Sequence, residues 1–208
     1  MNMQLLHEIV FYLMYGCAAL AIFIIVERAI YFSHTLRHAI RLEKAMTHAV
    51  QHLHELPREL TGRESVPLSL VSEILKEKHH LGNEKDLEDF SQSVYIASRA
   101  VVQERLWILD TIVTAAPLLG LLGTILGIID TFKALAVSGV SDPGQVSQGI
   151  GTALYATALG IGIAVVGMFF FNMFQQRTET INDHLKVLML RACIGSDMDV
   201  RAKNMHIA

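Results

Sequence analysis

Three long stretches of this chain carry no aspartate, glutamate, lysine or arginine: Ile9–Val26, Thr111–Ile129, and residues 143–176, the last most apolar from 149 to 174. A helix needs about 20 predominantly apolar residues to cross the hydrocarbon core of a bilayer. We therefore predict three transmembrane helices, here called the first, second and third crossing, and an all-α membrane protein. The alternative, a soluble bundle of deeply buried helices, would need three such stretches by coincidence.

Positive charges are distributed unevenly around these crossings. Of the 17 lysine and arginine residues, 16 lie in residues 27–110 or after residue 176, and only Lys133 lies between the second and third crossings. Loops rich in lysine and arginine stay on the cytoplasmic side. The N-terminus is therefore predicted to lie on the outer, periplasmic side of the membrane and the C-terminus on the cytoplasmic side, in a multi-pass protein. The first crossing is expected to remain as an anchor, because no small-residue cleavage site follows it.

These charges and apolar stretches together predict the order of segments. The predicted segments are a periplasmic N-terminus (1–8), a first crossing (9–26), a cytoplasmic helical loop (27–110), a second crossing (111–130), a periplasmic loop (131–148), a third crossing (149–176), and a cytoplasmic helix and tail (177–208).

Helical periodicity continues beyond the cytoplasmic end of the first crossing. Apolar residues recur from Leu36 to Leu53, and the pattern stops before Pro57. Ser65 is then predicted to cap a short helix that has Pro67 in its first turn and ends at Gly82. These segments favour a bundle of long cytoplasmic helices.

The other two crossings show the same continuation. Residues 84–132 are predicted to form one helix, with a kink at Pro117. The third crossing is predicted to continue to Gly195, and a helix is expected to start after Asp142. Before the second crossing the predicted apolar side contains Leu87, Phe90, Val94, Ala97 and Val101; after the third it contains Phe171, Phe174, Ile181, Leu185, Leu188 and Ala192.

Small and hydroxyl-bearing residues form a stripe on both the second and the third crossing. At 100° per residue, positions seven apart fall close together on a helix. On the second crossing the stripe contains Asp110, Pro117, Thr124 and Thr131, flanked by Gly120 and Gly127; on the third it contains Ala153, Thr157, Gly160, Ala164 and Gly167.

Two interpretations of these stripes remain open. Small residues let helix backbones approach closely, and a threonine can hydrogen-bond to its own helix, so the stripes can serve packing alone. Alternatively, they line a cavity in which hydroxyl groups face a guest helix. No aspartate, glutamate, histidine, lysine or arginine lies in 111–129 or 143–176, whereas a proton or sodium relay at that depth needs such a group. If this chain conducts ions, another polypeptide must supply the carboxylate.

The segments "APLLGLLGTILGIIDTF" and "GIGTALYATALGIGI", together with the order of crossings and the inner-end "ERAIYF", resemble the MotA/TolQ/ExbB proton-channel family. The resemblance is closest to ExbB-type subunits of TonB energising systems. It implies a homopentameric ring in the bacterial inner membrane, around an ExbD-like single-span partner that carries a membrane aspartate. It also implies a motor driven by the proton-motive force, and a TonB-like protein that passes the work to outer-membrane transporters.

By motif matching, Thr124 and Thr157 correspond to the family threonines that face the partner aspartate. Where well-studied relatives have G-I-A-E-A-L, this chain has Gly-Ile-Gly-Thr-Ala-Leu, so Thr152 replaces the family glutamate. No glutamate can therefore assist proton transfer at this position, which leaves the coupling ion open. Thr152 lies about 140° from Thr157 around an ideal helix, so Thr157 is the stronger candidate for lining the pathway.

Asp110 continues the stripe of the second crossing to its cytoplasmic end. We predict either that it marks the ion exit or that it is an ordinary helix-boundary carboxylate in water. The histidine pairs His34/His38 and His48/His52 have a spacing that can chelate a metal, but a solvated polar face is favoured over a metal site.

No nucleophile triad, phosphate-binding glycine loop or nucleic-acid patch is present in the sequence. We predict a non-enzymatic protein that needs no cofactor and binds no nucleic acid. Its predicted role is that of an ExbB-like motor subunit; the alternatives are a TolQ-like subunit of the Tol-Pal envelope system and a passive membrane scaffold.

Overall fold

The computed structural model describes residues 3–46, 56–62, 64–78, 80–81, 84–138 and 143–205, and the described part of the chain is helical without strands. This confirms the all-α class. The helices are α1 (Met3–Ala45), α2 (Arg58–Thr61), α3 (Val66–Glu77), α4 (Glu84–Gln103), α5 (Leu106–Ser138) and α6 (Pro143–Met205).

Three helices are long and apolar enough to cross a membrane. The qualifying stretches are His7–Ala45 in α1, Leu106–Ala136 in α5 and Pro143–Cys193 in α6. Each contains one of the uncharged stretches of the sequence, so the chain is a multi-pass membrane protein. Many large apolar side chains of these helices are exposed, among them Phe23, Leu118 and Phe169, as expected for surfaces that contact lipid or other chains.

The chain divides into two compact units. The first comprises Met1–Arg28 and Arg105–Met173, and the second comprises Ala29–Glu104 and Phe174–Ala208. The first unit contains the uncharged residues of all three long helices up to Met173. The second contains most of the charged residues.

In the first unit α1 packs through residues spaced three and four apart. Val10, Met14 and Leu126 form its buried cluster, and Leu119 and Leu159 pack against them. The contact brings Val10 within 3.5 Å of the position that a Cβ would take on Gly123. Gly123 and the leucines of this cluster therefore form part of the surface on which α1 lies.

In the second unit the buried side of α6 follows the predicted apolar pattern. Phe174, Ile181, Leu185, Leu188 and Ala192 are all fully buried. Phe171, which precedes the α6 segment of this unit in the chain, is half-buried. The apolar side of the third crossing thus continues past Arg177, as predicted. The helix does not end at Gly195, because α6 continues to Met205.

Ser65 caps α3, as predicted. Its side chain accepts a hydrogen bond from the Leu68 amide, and a proline lies in the first turn. The ring of His38 also contacts Ser65 Oγ through Nδ1 at 2.8 Å and the Leu60 carbonyl through Nε2 at 3.1 Å. The helix ends at Glu77 rather than at Gly82, which lies outside the described residues, as do Val50, Leu53, His48, His52 and Asp142.

Arg191 joins α6 to the end of α1 in the second unit. Its guanidinium group donates to the carbonyl oxygens of Glu43 and Met46, and it lies 3.3 Å from the Glu43 carboxylate. His184 Nδ1 lies 2.6 Å from the same carboxylate. These bonds satisfy carbonyl groups that the last turn of α1 leaves without helical partners.

The predicted apolar side of α4 was partly wrong. Leu87 and Val94 are buried, but Ala97 and Val101 are exposed, and Ser91, Ser98 and Val102 are buried in their place. The Ser91 hydroxyl avoids the penalty of an unpaired buried polar group because it bonds within the helix, where Ser91 Oγ donates to the Glu88 carbonyl at 2.9 Å.

The prediction of one continuous helix over residues 84–132 was also wrong. The chain breaks after Gln103, and Arg105 adopts a left-handed backbone with φ 68°. No glycine or proline marks this position, so the sequence pattern gave no sign of a break. Helix α5 instead continues without interruption through the half-buried Pro117.

Candidate functional site

The backbones of α5 and α6 approach closely at Gly120 and Gly160. A Cβ atom on Gly120 would lie 2.9 Å from the carbonyl oxygen of Ala156, and one on Gly160 would lie 2.5 Å from that of Ala116. Real Cβ atoms do not come so near to backbone atoms, so only glycine fits at either position. The small residues of both predicted stripes therefore form one direct helix–helix contact.

The same contact continues along both helices. A Cβ atom on Gly127 would lie 2.8 Å from the Cβ of Ala153, and one on Gly167 would lie 2.9 Å from Cγ2 of Val113. Ala164 is buried between these points. The packing interpretation of Gly120, Gly127, Ala153, Gly160 and Ala164 is thus supported by their positions.

Thr124 and Thr157 meet in the middle of this contact. Their hydroxyl groups hydrogen-bond to each other, and each lies 3.1 Å from the carbonyl oxygen of Gly120. Thr124 Oγ1 is also 3.1 Å from the Ala153 carbonyl oxygen. Both side chains are half-buried. The two hydroxyls that the sequence placed on separate stripes therefore form one polar site.

Hydrogen counting shows what this site can do. Two hydroxyl groups supply two donor hydrogens, whereas the Gly120 and Ala153 carbonyls and the two hydroxyl oxygens offer four acceptors. Either threonine can donate to the other, so the bonding pattern can switch without moving a heavy atom. The site holds no charge of its own and can donate a hydrogen to an incoming carboxylate by exchanging one carbonyl bond.

Two other predicted pathway residues lie away from this site. Thr152 is exposed and donates to the Gln148 carbonyl of its own helix at 3.0 Å. Asp110 is exposed on α5. It precedes Thr124 by 14 residues, which corresponds to about 21 Å along a helix. Neither makes a side-chain contact with the threonine pair.

Sequence reasoning missed His7, an ionisable side chain of α1 that lies against the α5–α6 contact. Its ring atom Cε1 lies 3.1 Å from the position of a Cβ on Gly127. The available signal was spacing: His7 precedes Val10 and Met14 by three and seven residues, and it thereby continues the buried side of α1.

Residues 63–186 match the model of the MotA/TolQ/ExbB proton channel family. A biopolymer transport protein ExbB homologue from Methanothermobacter thermautotrophicus is 32% identical over 64% of this chain and 47% of its own length. The biopolymer transport protein exbB1 of Vibrio cholerae is 30% identical over 81% of this chain and 77% of its own length. The Tol-Pal system protein TolQ of Pseudomonas aeruginosa is 34% identical over 43% of this chain and 42% of its own length. The chain thus spans about half the length of two of these relatives.

Proposed function

Since the chain belongs to the MotA/TolQ/ExbB proton channel family, we propose that it is an ExbB-like subunit of an inner-membrane motor driven by the proton-motive force. The observation that carries this proposal is the threonine pair. Two hydroxyl groups meet between two helices that contain no aspartate, glutamate, histidine, lysine or arginine at this depth.

The acid in this mechanism comes from a second polypeptide. The partner is an ExbD-like protein with one membrane-spanning helix and one aspartate in it. An ionised aspartate at the bilayer centre costs about 2.5–3.5 kcal/mol on insertion scales. Thr124 and Thr157 lower that cost by donating to the carboxylate, and because they are neutral they do not hold the proton. Thr152, one turn and a half before Thr157, lines the outer approach, and Asp110 marks the cytoplasmic exit.

The driving force is adequate for a conformational step. One elementary charge that crosses a potential of 100 mV releases about 2.3 kcal/mol. That is enough to shift the balance between two packed arrangements of a guest helix. A homopentamer encloses the guest helix, and a TonB-like protein carries the resulting work to outer-membrane transporters.

Sequence similarity to the TolQ protein of Pseudomonas aeruginosa favours one second candidate. A TolQ-like subunit would use the same ion pathway but would serve the Tol-Pal envelope system. Identification of the co-purifying partner separates the two candidates, because only the uptake role requires a TonB-like protein. A passive scaffold is the remaining alternative, and it predicts no ion flux.

The test is purification of the chain with a co-expressed single-span protein that carries a membrane aspartate. Particle imaging should show a ring of five copies around the partner helix. Vesicles that contain the complex should acidify when a proton gradient is imposed, and an aspartate-to-asparagine change in the partner should abolish the flux. A homo-oligomer closed by its own side chains, with no space for a foreign helix, would overturn the proposal.

A further inference from the structure

His7 occupies an unusual environment at the outer end of α1. Its side chain is half-buried, and its Nδ1 atom is fully buried without a hydrogen bond to any residue in the described part of the chain. The ring stacks edge-on against Phe11, with centroids 5.0 Å apart. On its other side it lies against Gly127 of α5. Both of these ring contacts are apolar.

This environment suits a neutral imidazole and not a protonated one. A neutral ring can leave Nδ1 as a bare lone pair, whereas imidazolium carries an N–H at both nitrogens. A buried donor or charge without a partner is costly. Proton binding therefore forces the ring either to leave the contact with Gly127 or to find an acceptor.

Within residues 3–46, 84–138 and 143–205 of the structure, few charged groups lie close in sequence to His7 or Gly127. On α1 the neighbouring Glu8 is exposed; on α5 Asp130 is half-buried and Lys133 is exposed. Residues 143–153 at the start of α6 contain no ionisable side chain. A protonated ring can reach a carboxylate at Glu8 or Asp130 only by turning away from its present position against Gly127.

Gly127 is connected to the threonine pair through Ala153. Gly127 packs against Ala153 of α6, and the Ala153 carbonyl accepts a hydrogen bond from Thr124. The side chain of His7, the backbone of Gly127 and the backbone of Ala153 thus form a direct chain of contacts to the candidate ion pathway.

We propose that His7 is a proton-sensitive contact, which holds the outer ends of α1 and α5 together while it is neutral and releases them when it binds a proton. The regulatory consequence rests on the proposed function: acid on the outer side would loosen the wall of the ion pathway where protons enter. The contact itself can be tested without ion flux.

The experiment is amide hydrogen–deuterium exchange on the full chain in nanodiscs at about pH 5 and about pH 8, corrected for the intrinsic pH dependence of exchange. Helix segments 7–17 and 121–131 should exchange roughly fivefold or more faster at the acidic pH in the wild type. His7→Gln should remove this difference. The matched control is His34→Gln, at an exposed histidine of the same helix, and it should retain the difference.

A second measurement keeps the test decisive if His7→Gln folds poorly. Carbon-13 shifts of the labelled wild-type histidines report which ring binds a proton between the two pH values. His7 should change protonation together with the change in exchange. The proposal is overturned if the wild-type segments exchange equally at both pH values, or if His7→Gln retains the difference.

Ion flux measured in the same preparations separates the role of His7 from the proposed function. Exchange that depends on pH without flux overturns the proposed function alone. Flux without pH-dependent exchange overturns the role of His7 alone.

Discussion

The hydroxyl groups of Thr124 and Thr157 hydrogen-bond to each other, and the carbonyl oxygen of Gly120 lies 3.1 Å from both. One backbone oxygen of α5 thus positions a side chain from each helix. The position of this oxygen depends in turn on the close approach at Gly160. The glycine packing and the hydroxyl pair are therefore one structural feature, so the packing and pathway interpretations of the stripes need not exclude each other.

Replacing one hydroxyl separates the pathway from the packing. In Thr157→Val, Thr124 keeps its contacts with the Gly120 and Ala153 carbonyls, so the free energy of unfolding should fall by only about 0.5–1.5 kcal/mol. Proton flux in vesicles should fall about tenfold or more, the effect of losing about 1.4 kcal/mol of barrier stabilisation.

The control is Thr114→Val on α5. Thr114 is exposed, and its hydroxyl donates only to carbonyls of its own helix, those of Asp110 and Thr111. Its flux should equal that of the wild type. Full flux in Thr157→Val would assign the hydroxyl pair to packing alone.

The close helix contact predicts opposite results for two glycines on α6. A Cβ on Gly160 would meet the Ala116 carbonyl and the Gly120 backbone, whereas one on Gly162 would meet nothing within 4 Å. Gly160→Ala should destabilise the protein by about 1–3 kcal/mol. Gly162→Ala should be neutral or should stabilise by up to about 1 kcal/mol, because alanine favours the helix. Thermal unfolding in detergent measures both, and equal effects would show that α5 and α6 do not touch at Gly160.

Sequence reasoning could place each threonine on the small-residue side of its own helix, because helical spacing fixes which residues share a side. A period of 3.6 places Thr124 with Pro117 and Thr157 with Gly160, and the short connection makes α5 and α6 neighbours. The same reasoning failed on α4, where counting only apolar residues favoured Ala97 over the buried Ser91 and Ser98. It also missed His7, since a search for uncharged stretches stops before a polar residue that continues the buried side of the helix.

The break at Arg105 gives a prediction about backbone strain. A left-handed backbone costs a residue with a Cβ about 1–2 kcal/mol, and glycine avoids this cost. Arg105→Gly and Arg105→Ala both remove the 3.4 Å contact with Glu27, so their difference isolates the backbone. The glycine variant should be more stable than the alanine variant by about 1 kcal/mol in thermal or denaturant unfolding. Equal stabilities would mean that residue 105 does not keep φ 68° in the protein.

Arg191 should contribute to the stability of the second unit. Arg191→Ala leaves the Glu43 and Met46 carbonyls and the Glu43 carboxylate without these donors, so the free energy of unfolding should fall by about 1.5–3 kcal/mol. Arg191→Lys should recover only part of this loss, because an ammonium group lacks the planar fork of a guanidinium group. Lys186→Ala, at an exposed position of the same helix, is the control and should change stability by less than about 0.5 kcal/mol.

Asp110 allows the predicted cytoplasmic exit to be tested without a folding artefact. Its side chain is exposed, and asparagine keeps its shape, so Asp110→Asn should leave unfolding unchanged to within about 0.5 kcal/mol. The carboxylate can attract a released proton and pass it to water, whereas the amide cannot. If Asp110 is the exit, flux should fall several-fold, and the loss should be largest at low salt, where an exposed charge is least screened. Asp183→Asn, at another exposed carboxylate on α6, should leave flux unchanged. Wild-type flux in Asp110→Asn would make this residue a helix-boundary carboxylate in water, and the exit would then have to lie elsewhere along the cytoplasmic end of the pathway.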